Sequence, residues 1–205
     1  MAEYIILDTE TDGLNTHTCN MLSVGAFILT SDDKGKVLNI QHKERYFATN
    51  EEVPADAAVV NHLSKKIVNE LAKGEFIEDC YDDVKCIFNA PEATVLGWNL
   101  PFDTAVIRQN LSRNGLPAPK WDRELDVMQL ARPLLAHTGY AKKSRVKLIK
   151  AVDEILHIQH HLTDEQIENA FKKITKKEVI GYHDASYDAY VTTLIFCYIL
   201  PRLEG

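Results

Sequence analysis

An α/β fold is what this sequence predicts: one mixed β-sheet, an antiparallel three-strand meander plus parallel strands, flanked by helices. Three observations carry that expectation. Blocks rich in β-branched and aromatic residues come first. The apolar spacing then changes to a helical period. Short apolar strands finally alternate with helices, an order that builds a single layered sheet. At 205 residues, 45% hydrophobic and 26% charged, the chain has the interior for one core. It shows no internal repeat, low-complexity stretch or linker, so residues 1–205 are expected to form a single domain.

Residues 4–7, 22–29 and 37–47 read as the three meander strands, with residues 31–36 as the turn between the last two. Residues 64–72 and 77–88 space their apolar side chains helically, and 94–98 is a short buried strand. A helix over 102–114 is stopped by Gly115 and Pro117. A strand at 124–127, a helix to Leu135, and helices over 146–156 and 185–199 complete the pattern. Between the last two lies a stretch read as a helical insertion at about 157–180, with its own helix over 163–174.

Composition excludes several classes. Cys19, Cys80, Cys86 and Cys197 contain no CxxC pair, which argues against a zinc ribbon or a thioredoxin-type site. The start, Met1-Ala2-Glu3-Tyr4-Ile5-Ile6-Leu7-Asp8, lacks the basic, long apolar pattern of a signal peptide. The apolar stretch over 191–200 is half a membrane span, so the expectation is a cytoplasmic protein with no membrane partner. A net charge of −7 argues against holding nucleic acid by bulk positive charge. Bound divalent cations would offset part of it, so the sign leaves a phosphate-bearing substrate open.

The chemistry-bearing residues sit at element ends. Asp8 and Glu10 follow the first strand at i, i+2, which puts both carboxylates on one face roughly 6–7 Å apart. Two converging acids repel unless a cation lies between them, and oxygen ligands suit magnesium or manganese. The same run is also good turn chemistry, and the residues alone leave both readings standing. Asp103 falls in the first turn of a helix just past a buried strand, where a carboxylate also stabilises the helix dipole. Strand-to-helix junctions are nonetheless where α/β sheets bind ligands. Asp188 lies on the otherwise apolar final helix, which Asp184 caps. His183 is five residues before Asp188, about 140° away on a continuous helix. The two converge only if His183 lies on the entering loop.

Together these segments resemble the DnaQ-like 3′→5′ exonucleases, the DEDDh branch of the ribonuclease H-like fold. The family's D-x-E motif is matched by Asp8-Thr9-Glu10, followed by Thr11-Asp12-Gly13-Leu14. N-x-x-F-D is matched by Asn99-Leu100-Pro101-Phe102-Asp103, and H-x-A-x-x-D by His183-Asp184-Ala185-Ser186-Tyr187-Asp188. The tyrosine branch would place Tyr where Asp184 stands, so the histidine subtype is the match. Two departures stand out: the additional acid Asp12, and the long stretch over 157–180.

The resemblance implies hydrolysis of terminal phosphodiesters with two divalent ions, magnesium or manganese, and release of nucleoside 5′-monophosphates, with single-stranded DNA favoured. Asp8, Glu10, Asp103 and Asp188 would be the metal ligands, and His183 would take the proton from the attacking water. Thr11, Leu14, Asn99 and Phe102 would line the substrate site, with Leu14 wedged against the terminal bases. The partners implied are single-stranded nucleic acid 3′ ends and a DNA polymerase or repair protein. Phosphate contacts are sought in Arg132, Lys142, Lys143, Arg145, Lys147 and Lys150, beside Tyr140 and Gly139. Lys172, Lys173, Lys176 and Lys177 read rather as a solvated face.

Competing readings are an exoribonuclease of RNase T or oligoribonuclease type, and a non-catalytic nucleic-acid or polymerase-binding module on the same fold. A full set of repelling acids weighs against the module. A proofreading subunit with the same chemistry is a third reading; the tail, Ile199-Leu200-Pro201-Arg202-Leu203-Glu204-Gly205, offers no long docking segment, so a free-standing nuclease or repair enzyme is preferred to it. A zinc site at His157, His160 and His161 is disfavoured because Ile158 stands where a zincin needs Glu. His62 reads as a helix-end or turn residue.

Overall fold

The computed structural model describes residues 1–203, so the last two residues of the tail lie outside the described residues. Strands β1 (Ala2–Thr11), β2 (Met21–Ser31) and β3 (Val37–Tyr46) form the antiparallel meander. Strand β4 (Asn89–Gly97) pairs with β1 in parallel, and β5 (Lys120–Asp126) pairs with β4 in parallel. The five-stranded sheet has the order β3-β2-β1-β4-β5. The mixed α/β sheet expected from the sequence is the observed one.

β1 is central, and its side chains alternate between two cores. Tyr4 and Ile6 join Phe27, Leu96, Tyr190 and Phe196 on one face, while Ile5 and Leu7 join Val95, Val106, Ile107 and Leu111 on the other. Burial on both faces explains why residues 4–7 are uniformly apolar rather than alternating with polar residues. Each fully buried Ile or Leu contributes about 1.5–3 kcal/mol relative to exposure.

Helices α1 (Ala55–Asn61), α2 (Lys65–Leu71) and α3 (Tyr81–Phe88) lead from β3 to β4, and α4 (Leu100–Arg113) joins β4 to β5. α5 (Val127–Leu130) continues into a 3₁₀ turn over Arg132–Leu135, and a second 3₁₀ turn covers Gly139–Lys142. α6 (Leu148–Ala151) runs directly into a π-helix over Val152–Gln159. α7 (Asp164–Thr175) follows, opened by a capping box between Thr163 and Gln166, and α8 (Ala185–Leu203) packs across β1 and β2. Among the described residues no helix is long and apolar enough to cross a membrane.

Several boundaries differ from the sequence expectation, for identifiable reasons. α1 was not expected: it is short, starts without a side-chain cap, and exposes Val59 and Val60. Helix α3 starts at Tyr81 rather than at 77, because residues 76–80 close turns in which Asp79 and Cys80 amides bond back to Phe76 O. β4 and β5 each begin earlier than their apolar runs, at Asn89 and Lys120, and their pairing shifts register between Ala90 and Thr94.

Candidate active site

The carboxyl ends of β1 and β4 lie side by side, and the chain leaves them in opposite directions, β1 towards β2 and β4 through α4 towards β5. That divergence opens a crevice of the kind where α/β sheets bind ligands. Asp8 and Glu10 stand at its floor, opposite Gly25 and Ser23 of β2. The i, i+2 spacing on a continuous strand puts both carboxylates on the α8 side.

Asp103 reaches the crevice from the first turn of α4. It is 3% exposed, and its Oδ1 accepts from Thr9 N at 3.0 Å and Thr9 Oγ1 at 2.8 Å. α4 comes this close because Gly97 has no side chain: a β-carbon there would meet Leu7 O at 2.9 Å and Leu100 Cδ1 at 3.0 Å. Asn99 enters α4 in the left-handed conformation, φ 65°, and its amide donates to Asp126 Oδ1 at 3.0 Å. Phe102 is half-buried against the core that holds Ile5 and Leu7.

α8 supplies the third side. Asp184 Oδ1 accepts from Tyr187 N at 2.9 Å, the capping role expected of it. His183 precedes the helix at φ 65°, and its amide donates to Asp188 Oδ2 at 3.2 Å, folding the entering loop back over the first turn. One ligand atom each from Glu10, His183 and Asp188 lies within 4.8 Å of the other two. Asp188 is 7% exposed, and its buried Oδ1 has no hydrogen-bond partner.

The electrostatics follow from this crowding. Burial pushes Asp103 up to about 7, although its bonds from Thr9 act the other way. Burial also brings Asp188 to about 7, offset by the His183 amide and reinforced by Asp184 and Asp103. Asp8 and Glu10 are both held well above the ordinary carboxylate range, by burial first and then by neighbouring acids. His183 is lowered, chiefly by burial and then by the positive charge of His62 and Lys147. Buried acids that raise one another's pKa, with an orphaned carboxylate oxygen among them, form an oxygen-rich donor set that a hard divalent cation satisfies. The residues present fit such ions.

Thr11 ends β1 with its hydroxyl on Gly13 O at 2.7 Å, and Leu14 stands 89% exposed beyond it. The additional acid, Asp12, is occupied by the turn: its two oxygens accept from Asn20 N at 2.7 Å and Asn20 Nδ2 at 2.6 Å. His157, His160 and His161 do not converge. His157 bonds Leu162 O at 2.8 Å, His160 stacks on Tyr198 at 3.5 Å, and His161 has left the helix with φ 55°.

No protein-family model matches the sequence, and no curated protein sequence does. Solved structures do match. The zinc-bound complex of E. coli exonuclease I with single-stranded DNA is 19% identical, with a TM-score of 0.64 over 99% of this chain and 41% of that one. Exonuclease X in complex with 5′-overhanging duplex DNA is 18% identical, with a TM-score of 0.57 over 100% of both chains. An exonuclease I from Methylocaldum szegediense is 16% identical, with a TM-score of 0.63 over 100% of this chain and 42% of that one. The chain has the ribonuclease H-like fold of these structures. It spans about two fifths of the exonuclease I chains and the full length of exonuclease X.

Within that fold, two sets of residues that position the site were not anticipated. Gly25 is the first. A β-carbon on it would lie 2.4 Å from Ser186 N and 2.5 Å from Ala185 C, so its bareness lets α8 seat flush against the sheet beside Asp8. An isolated glycine inside a strand is the available signal, since it marks a close backbone approach. The second set ties β3 to α8. Ser186 Oγ donates to Glu44 Oε1 at 2.6 Å and meets His42 Nε2 at 2.8 Å, while Lys177 pairs with Glu44 and approaches Asp184 at 3.8 Å. Ser186 is fully buried, so this network anchors the helix and offers no nucleophile to solvent. Lys177 and Lys172, the latter paired with Glu178 at 2.7 Å, are thereby engaged with protein acids.

Proposed function

We propose that this chain is a metal-dependent 3′→5′ exonuclease that removes nucleoside 5′-monophosphates from the ends of single-stranded nucleic acid, DNA in preference to RNA. The observation that carries the reading is the convergence of Glu10, His183 and Asp188, one ligand atom of each within 4.8 Å of the others, beside Asp8 and Asp103 and with Asp188 Oδ1 left without a partner. Asp8, Glu10, Asp103 and Asp188 would hold two magnesium or manganese ions. When bound, such ions stabilise the attacking and leaving oxygens of a phosphodiester displacement.

The protein's own part is positioning and proton transfer. His183, whose pKa is lowered by burial and then by His62 and Lys147, accepts the proton of the attacking water. The Asp188 carboxylate holds the loop carrying it through the amide at 3.2 Å. Exposed Leu14 packs against the terminal base, while Thr11, Asn99 and Phe102 line the end-binding crevice. Lys142, Lys143, Arg145, Lys147 and Lys150 are exposed on one segment, with Lys143 over the Tyr140 ring at 5.1 Å, a combination suited to a strand's phosphates and bases. Single-stranded DNA in a structural neighbour supports the choice of substrate.

The test is digestion of 3′-labelled single-stranded DNA, duplex DNA and RNA of one sequence, side by side in magnesium or manganese. Fastest release of labelled mononucleotide from the single DNA strand is expected. Faster release from RNA would convert the assignment to an exoribonuclease, and none from any substrate would overturn it.

A further inference from the structure

His62 closes the elbow between α1 and α2 in the left-handed conformation, φ 62°. A side chain is strained there and glycine is not, so a histidine in this position calls for a reason. Lys73 and Lys176 share the conformation, but each only closes a turn past a helix: the Lys73 amide donates to Glu70 O beyond α2, and Lys176 Nζ folds back onto Lys173 O beyond α7. His62 instead lines a cleft whose polar wall is Glu10, Asn61, His183 and Asp184 and whose other wall is apolar, with Leu63, Ile67, Leu71 and Ile180.

The elbow does not need the imidazole. Asn61 pins it, donating from Nδ2 to Thr11 O at 2.9 Å and accepting from Leu63 N at 3.0 Å through Oδ1. The backbone of His62 is therefore fixed to the end of β1, two residues from Glu10's neighbour Thr9. The ring itself is exposed and makes no hydrogen bond among the described residues, and it lies close enough to His183 to share a cleft with it. A ring N–H displayed at the rim of an end-binding crevice suits an anionic oxygen, and imidazole keeps a donor whether protonated or neutral.

We propose that His62 is a substrate-contacting residue, whose imidazole donates a hydrogen bond to a phosphate oxygen of the strand whose 3′ end occupies the crevice. The proposal rests on the exonuclease reading. It is tested with His62→Gly and His62→Gln, measuring Tm, kcat and KM on a 3′-labelled oligothymidylate in magnesium. Glycine should leave Tm unchanged or raise it, because strain is relieved, while KM rises about tenfold, as loss of a hydrogen bond to a charged group implies. Glutamine, which restores a donor, should bring KM back towards the parent value. A glycine variant with the parent's KM, or variants whose KM changes only as Tm falls, would overturn the contact. If the parent itself digests nothing, the exonuclease reading fails and the contact with it; an active parent matched by the glycine variant sinks the contact alone.

Discussion

Gly25→Ala tests how the fold builds the site without touching any acid. The new β-carbon would sit 2.4 Å from Ser186 N and 2.5 Å from Ala185 C, both backbone atoms of the first turn of α8. No rotamer change relieves a contact between backbone and β-carbon. Ordinary contact begins at 3.4 Å, so the helix start must move from the sheet by about 1 Å. Overpacking of this kind costs about 1–3 kcal/mol, and for a chain of this length that lowers Tm by roughly 2–12 °C. Asp188 rides on the displaced turn, and a 1 Å misplacement costs about 10²-fold in rate. Thermal melting followed by kcat on a 3′-labelled strand, well below Tm, reads both effects. A variant with the parent's Tm and kcat would refute the reasoning. A lowered Tm with full activity would show that α8's seating sets stability alone.

Asp188→Asn should nearly abolish turnover while leaving the metal-free Tm equal or higher, since it removes a repelling charge; magnesium should raise the Tm of the parent more than that of the variant. Stability should also depend on pH. Asp103 and Asp188 are raised to about 7, so the folded state binds more protons than the unfolded chain; their stabilising effect is complete below the unfolded values near 4 and is lost as pH rises through about 7. Melting in chelator should therefore show a lower Tm at pH 8 than at pH 5, and an equal or higher one would contradict the raised values. His183→Gln should lose about 10²–10⁴ in kcat, with substrate binding retained, and should lose the acid limb of the pH–rate profile. In the parent that limb should lie below the ordinary histidine range, because burial and positive neighbours lower His183; a variant keeping the parent's profile would make His183 structural.

The parts of the molecule that could be read from sequence are those in which local pattern and tertiary role coincide. β1 to β3 announce themselves because their apolar and β-branched runs are the buried strands themselves. Asp8, Glu10, Asp103, His183 and Asp188 stand out in the sequence because each falls at the end of an element in a recognisable order, and the fold brings them to one crevice. What stayed hidden depends on distant partners. The seat of α8 on Gly25 pairs residues far apart in sequence, and the Ser186–Glu44–Lys177 anchor joins three separate segments. The π-helix over Val152–Gln159 keeps an apolar spacing close to that of an α-helix, so periodicity alone does not reveal it. Asp12 reads in sequence as an extra acid beside the site, but Asn20, eight residues on, donates to both its oxygens in the turn.

On the proposed function, this acidic crevice hydrolyses nucleic acid from the 3′ end with bound divalent ions. The most direct measurement is time-resolved digestion of a 5′-labelled single strand, with and without chelator, followed by separation of the products at single-nucleotide resolution. A ladder shortening stepwise from the 3′ end in magnesium or manganese, absent in chelator and absent for Asp8→Ala, is the expected result. Internal cuts, shortening from the 5′ end, or undiminished digestion in chelator would contradict it.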